Sequence, residues 1–413
     1  MGMDSYLPDV DGVVMCMHNY CLALNDKVEL DAMAPKNDPR HVDTFPYRLT
    51  RCKSKVFPII RMYYGKPEKD KKFKTLIYGQ KFDIIHMHSP FNMSKFALKL
   101  AKKTNTPAVA TFHTNFRPIF KSVVKLGFIS EFMVKRVGKA LGKYDEIFVC
   151  TPEVEEQARS FGYRGKVSFI PFGCSYGLCA DPDTAAANAN MQFGIAANET
   201  VFLFVGRLME LKRVDFILDC LKVLKDGGAK FRFIIVGKGP HAEKLQQQAK
   251  TLGFTDKEVN FMGFVSDEDL KLLYARSDLF LFPSLYDNFG LVKIEAAAYS
   301  TPCLLIRDSA AGYGVADGVN GFLCDDSLES FTGRIREILQ NPASLKQVGK
   351  NAARDIYRSW DDCGKILLEN YARVINEKQQ NIKHTPVPKS VVTLARRNQK
   401  RKSRKIKSRG ASG

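Results

Sequence analysis

What most constrains this chain is an alternation, from about residue 80 onward, of short β-rich apolar runs with amphipathic stretches of helical length. Strands are expected at 83–86, 108–112, 146–150, 201–205, 231–236, 278–282 and 302–306, and helices at 93–104, 152–161, 213–226, 241–252 and 267–276. Thr151-Pro152 places proline at a first helical position, and Ser266-Asp267-Glu268 puts acids in a first turn. The alternation appears twice, the mark of two α/β domains, each a parallel sheet covered by helices. Two such domains face each other across a cleft lined by the carboxyl ends of their strands, where ligands bind.

The break between the halves falls at 173–199, rich in Ala, Asn and Asp and without strand character, and reads as an interdomain connection. The first domain is then 1–172 and the second 200–355. A helix over 356–380, opened by the single tryptophan Trp360, offers Ile366, Leu367, Tyr371 and Val374 for packing back on the first domain. A doubly wound domain should open on an apolar strand. Here the loop-like Asp4-Ser5-Tyr6-Leu7-Pro8-Asp9 begins at once, which implies a truncated first strand or a misassigned start.

Composition narrows the classes. No run approaches the ~18–20 uninterrupted apolar residues of a membrane-spanning helix, and the N-terminus has no basic region followed by an apolar core. Ten cysteines without an export signal read as buried free thiols of a reducing cytosol. The net charge is +19, but residues 381–413 hold eleven cations and no acid, leaving only eight net charges to the rest. That block is expected to be a solvated, disordered tail able to hold anionic lipid or nucleic acid.

Two segments carry candidate chemistry. In Phe282 to Ala298, a strand ends at Ser284 and a helix follows Gly290, so backbone N–H groups at the turn offer an anion site. Asp287 and Glu295 flank that turn; read blandly they are a loop acid and a helix-surface glutamate. In Phe204 to Arg213, a strand leaves through Gly206 into a loop with Arg207 and Lys212, two cations suited to a pyrophosphate or merely to a charged surface. His86 and His88 alternate faces of a strand end, one lining the cleft and one packing, and are not read as metal ligands. Asp9-x-Asp11 and Asp181-x-Asp183 fit a metal-binding spacing without the buried strand it requires, so no metal site is assigned.

Taken in order, these pieces resemble the family-4 retaining glycosyltransferases of GT-B fold. The resemblance rests on Gly206-Arg207 with Lys212, Asp287 to Glu295-Ala296, Val236-Gly237-Lys238-Gly239-Pro240, Gly263-Phe264-Val265 and Asp317 to Leu323. In the first half it rests on Pro8 to Val13, His86-Met87-His88-Ser89-Pro90 and Thr111-Phe112-His113-Thr114. It implies a nucleotide-diphosphate sugar, taken as a UDP-sugar, as co-substrate and no other cofactor. Arg207 and Lys212 would then hold the diphosphate with the backbone amides of Phe289, Gly290 and Leu291. Glu295 would accept from the ribose and Asp287 from sugar hydroxyls, His113 would lie under the reacting centre, and the Gly12 loop would approach the phosphates from the opposite domain. Of these, His113, Asp287, Arg207 and Lys212 are the expected catalytic set. Asp287 departs from the family's usual glutamate by one methylene.

Residues 116–143 carry seven cations against one acid, with Phe120, Val124, Phe128 and Phe132 at helical spacing. A basic amphipathic helix of this kind suits an anionic membrane interface, or packs on its own domain with a solvated basic face. With Arg307-Asp308-Ser309-Ala310-Ala311, it makes the chain look most like bacterial diacylglycerol glucosyltransferases. That implies a lipid acceptor and a cytoplasmic enzyme attached to the inner face of the cell membrane. Alternatives are a transferase building capsule, lipopolysaccharide or teichoic-acid glycans, and an inactive relative serving as a nucleic-acid-binding or scaffold protein. The tail lacks the aromatic interleaving of a single-strand binder, so no specific nucleic acid is expected.

Overall fold

The computed structural model describes residues 1–9, 11–37, 41–57, 62–124 and 126–384, so the basic tail lies outside it from residue 385 on. The first half runs α1 (Gly12–Leu24), β1 (Asp31–Pro35), β2 (Arg48–Cys52), β3 (Ser54–Phe57), β4 (Met62–Gly65), α2 (Lys71–Tyr78) and β5 (Ile85–Met87). It continues through α3 (Asn92–Thr104), β6 (Ala108–Thr111), α4 (Phe116–Val123), α5 (Gly127–Leu141), β7 (Glu146–Val149), α6 (Pro152–Ser160) and β8 (Lys166–Phe169). The second half holds α7 (Pro182–Phe193), β9 (Val201–Val205), α8 (Val214–Asp226), β10 (Arg232–Val236), α9 (Ala242–Thr251), β11 (Val259–Gly263) and α10 (Asp267–Arg276). After these come β12 (Leu279–Phe282), α11 (Leu291–Ala298), β13 (Cys303–Ile306), β14 (Phe322–Cys324), α12 (Leu328–Gln340), α13 (Pro342–Asp355) and α14 (Trp360–His384).

Each half is built on a parallel sheet. The second is ordered β11-β10-β9-β12-β13-β14, with the chain reversing direction of growth between β9 and β12. Its inner strands β9, β10, β12 and β13 are buried on both faces, as their Val, Leu, Ile and Phe runs require. In the first half β5-β6-β7-β8 and β1-β2 are parallel. What joins them is the very start of the chain. Gly2 bridges Met33 of β1 and Met87 of β5 in parallel, through Gly2 N to His86 O (2.9 Å), His88 N to Gly2 O (2.8 Å) and Met33 N to Met1 O (2.8 Å). Residues 1–3 thus occupy the central strand position for which the sequence seemed to have no residues.

Caps account for the helix starts. Thr151 Oγ1 accepts from Val154 N at α6, and Ser266 Oγ from Asp269 N at α10, whose first turn holds Asp267, Glu268 and Asp269. The segment 173–199, read as an interdomain connection, is not loop throughout. It contains α7, capped by Asp181 and packed on α10, with Gln192 bonded to Asp269 and Arg276 bonded to Asn190. Helix propensity of the Ala-rich run accounts for this helix, and the rest of the segment is connection. Asp181 and Asp11 are both N-caps, of α7 and α1, which removes them from any metal-binding role.

The crossing helix is borne out. Trp360, Cys363, Leu367, Tyr371 and Val374 join the core of the first domain, with Trp360 edge-on to Tyr20 at 4.9 Å. Arg373 pairs with Glu146 (2.7 Å), Lys378 with Asp145 (2.6 Å) and Glu377 with Lys166 (2.6 Å).

The single amphipathic helix expected over 116–143 is two helices. The chain is extended at Val124 and Leu126, where β-branched Val123-Val124 and Gly127 are poor helix formers. Phe120 is buried, stacked on Phe116 at 5.7 Å, so it does not face outward. Phe128 and Phe132 do, at 74% and 59% exposure. All ten cysteines are free, and among the described residues no helix is long and apolar enough to cross a membrane.

Candidate active site

β9 ends at Val205, and the loop beyond it is fixed backbone to backbone against the end of β10, with Gly206 N donating to Val236 O (3.0 Å) and Leu208 N to Lys238 O (3.0 Å). Gly237 makes this approach possible. Its φ is +134°, and a Cβ there would lie 1.9 Å from Gly206 O. The loop presents Arg207 exposed, its side chain without a hydrogen bond or ion pair among the described residues. Lys212 closes a short 3-10 turn, Glu210–Lys212, and turns inward over the Phe282 ring (5.4 Å). Its Nζ donates to both carboxylate oxygens of Asp287, at 2.5 and 2.7 Å.

From β12 the chain passes Asp287 to Gly290, left-handed at φ +69° and packed against Ala311 and Phe282, and enters α11. The amides of Phe289, Gly290 and Leu291 have no protein acceptor among the described residues, so the positive end of α11 is open to an anion. Four residues into α11, Glu295 Oε2 accepts from buried Tyr274 OH (2.8 Å), and burial raises its pKa above the ordinary carboxylate range. Lys293, buried between them, donates to the carbonyls of Ala311 (2.5 Å) and Tyr313 (2.8 Å). Burial lowers its pKa to about 8.

The first domain contributes His113, just past β6. Its Nε2 is 2.9 Å from His88 Nδ1, and its ring stacks on Phe172 at 5.4 Å. Burial lowers its pKa to about 3, so it stands neutral at physiological pH. Its carbonyl accepts from Asn288 Nδ2, Cys150 Sγ reaches Asn288 O (3.3 Å), and Phe172 meets Phe289 edge-on at 5.2 Å. These contacts set His113 directly against the Asp287–Gly290 turn of the opposite domain. His86 is the packing histidine, held by Tyr371 OH (2.6 Å) and Thr111 Oγ1 (2.7 Å).

The Lys212–Asp287 pair, the open amides of Phe289, Gly290 and Leu291, and His113 from the opposite domain are thus gathered around one turn, with Glu295 further along α11 and Arg207 exposed just past the end of β9. Gly12 opens α1, exposed, with nothing within 4 Å of where a Cβ would sit. One turn further on, Cys16 lies beside the His88–His113 pair. Sequence reasoning missed Asn288, Phe172 and Tyr274. Asn288 sits inside the motif it was reading, whereas the other two come from distant segments and leave no local signal.

Residues 10–175 match the model of Glycosyltransferase Family 4, and residues 187–355 that of Glycosyl transferases group 1. The chain is a family-4 glycosyltransferase of GT-B fold. This glycosyltransferase is 26% identical to the alpha-monoglucosyldiacylglycerol synthase of Acholeplasma laidlawii, over 91% of its own length and 98% of the relative's. It is also 26% identical to a D-inositol 3-phosphate glycosyltransferase of Streptomyces avermitilis, over 87% of this chain and 79% of that one. Its fold matches the sucrose-phosphate synthase of Thermosynechococcus elongatus with TM-score 0.71 at 20% identity, covering 91% of this chain and 99% of that one. Anabaena Alr3699/HepE, solved in complex with UDP-glucose, superposes with TM-score 0.68 at 16% identity, covering 90% and 99%. The glycosyltransferase thus has the fold and the enzyme class expected from its sequence.

Proposed function

We propose that this glycosyltransferase moves a hexose from a UDP-sugar to a diacylglycerol-type lipid at an anionic membrane surface, with retention at the sugar's anomeric carbon. The donor half of the reading rests chiefly on one observation: three acceptor-free amides at the start of α11 lie beside the Lys212–Asp287 pair. A diphosphate entering there takes Lys212, with Arg207 closing from the rim by its planar fork. Asp287, released from Lys212, then accepts from hydroxyls of the sugar. Glu295 is oriented by Tyr274 to receive the ribose.

In this reading the bond from the anomeric carbon to the diphosphate oxygen breaks while the acceptor hydroxyl adds on the same face. The acceptor's proton passes to the departing phosphate oxygen. The protein's part is electrostatic, stabilising charge that develops on the leaving group. Neutral His113 orients a sugar hydroxyl by hydrogen bonding and brings no charge of its own to the anomeric centre.

The acceptor half is supported by the outward face of α5, where Phe128 and Phe132 stand exposed beside a groove of about 1390 Å³. The groove is lined by Lys95, Lys102, Arg136, Lys139 and Lys143 among others. Cations near an anionic leaflet contribute about 1 kcal/mol each, and exposed aromatic rings insert beneath the headgroups. The diacylglycerol acceptor follows the similarity to the Acholeplasma relative. The test is nucleoside diphosphate release from a panel of nucleotide sugars, with and without anionic vesicles carrying diacylglycerol. Release from a UDP-sugar, accelerated by the lipid, is expected; release that is indifferent to lipid rejects the acceptor.

A further inference from the structure

We propose that Cys16, His88 and His113 form a binding site for a soft divalent metal ion of the zinc class, on the first domain's side of the cleft. One ligand atom from each residue lies within 4.8 Å of the other two. The topology brings them together: β5 and β6 are adjacent and parallel, with Met87 opposite Ala110, so His88 and His113 leave neighbouring strand ends. Cys16 comes from the buried face of α1.

A second observation points to a ligand. His88 is 2% exposed, and its Nε2 is buried without a hydrogen-bond partner among the described residues, while Nδ1 is engaged by His113. A thiol and two imidazoles, one of them with a desolvated and unpartnered ring nitrogen, are a donor set zinc takes, with bonds of about 2.0–2.3 Å. Such bonds put ligand atoms about 3.5 Å apart in a tetrahedral site, between the 2.9 Å of the His88–His113 contact and the 4.8 Å outer bound of the cluster, so the adjustment is of about an ångström. Both histidines are held neutral by burial, the form that ligates. The Cys16 thiol is protonated, its pKa pushed up by burial, so each ion bound as a thiolate releases one proton to solvent. Three protein ligands leave the fourth position to water from the cleft, where His113 is partly exposed. An ion here engages His113 and so opposes sugar transfer, but the site itself does not depend on that role.

Cobalt(II) titrated into the reduced full-length chain reads the site without any activity assay. The expected result is one equivalent bound with a thiolate-to-cobalt charge-transfer band, displaced by zinc. Cys16→Ser should lose the band and bind zinc at least tenfold more weakly in competition with a chromophoric chelator, and His88→Gln should weaken binding similarly. Cys150 and Cys363 lie near Cys16, so an unchanged band and affinity in Cys16→Ser would overturn the assignment. Should the variants misfold, X-ray absorption on the zinc-loaded natural chain decides: one sulfur with nitrogen or oxygen neighbours is expected. A shell with no sulfur, or with two or more, rejects the site.

Discussion

Lys212 and Asp287 neutralise one another before any donor arrives, at 2.5 and 2.7 Å and each about a fifth exposed. In the proposed function a diphosphate competes with Asp287 for that lysine, whereas the Arg207 side chain has no partner to give up among the described residues. Arg207→Ala and Lys212→Ala each remove a charge-assisted contact and should cost on the order of 1.5–3 kcal/mol, about tenfold or more in UDP-sugar affinity by calorimetry. Unchanged affinity in both variants would dissociate the pair from the donor. The histidines predict a pH effect of definite sign. His86, His88 and His113 all sit below the ordinary imidazole range, His113 at about 3, because burial disfavours the cation. Their contribution to stability is complete above the unfolded pKa of about 6.5 and is lost as pH falls toward the folded value, by up to about 1.4 kcal/mol per pH unit per histidine. Urea unfolding of His113→Gln between pH 6 and 4 should show a shallower loss of stability than the natural chain, by about one proton. Identical slopes would mean His113 is not held neutral.

At the scale of elements, α14 couples the two halves, and Trp360 is its anchor against Tyr20 and Phe172. Trp360→Ala should destabilise by about 3–5 kcal/mol, seen as a lower denaturant midpoint; a change below 1 kcal/mol would leave the anchor without force. Legibility divides along the same scale. Strands such as β9, β10 and β12 were readable because burial on both faces demands continuous apolar runs. β1 and β2 were not, since Asp31–Pro35 and Arg48–Cys52 mix charge and small residues, and the central position held by Met1–Met3 is too short to show any periodicity. In 116–143 periodicity marked the apolar positions but not which of them turn inward, so buried Phe120 and exposed Phe128 looked alike. The site followed the same rule. Asp287, Gly290 and Glu295 are legible because one turn and the helix it opens hold them, while Phe172, Tyr274 and Cys16 meet the candidate residues only through tertiary packing.

At the scale of the whole molecule, the proposed function joins a donor site in the second domain to the basic, aromatic-tipped surface of α5 on the first. Attachment to anionic vesicles should weaken steeply with salt, because the Debye length is about 8 Å at physiological ionic strength. Deleting residues 385–413, which carry ten cations, should weaken it further at low salt. Phe128→Ser with Phe132→Ser should instead lower the part of the binding that survives high salt, since apolar burial does not depend on charge. Sedimentation with anionic and neutral vesicles separates the two contributions, and equal, negligible binding to both would reject membrane attachment. The most direct test of the central claim is the product itself: the full-length chain is incubated with UDP-glucose and diacylglycerol in anionic vesicles, and the anomeric proton of any glycolipid is read by NMR. An α-linked glucosyl lipid is predicted, lost in Arg207→Ala with Lys212→Ala; a β-linked product, or no glycolipid with any UDP-sugar, would contradict the account.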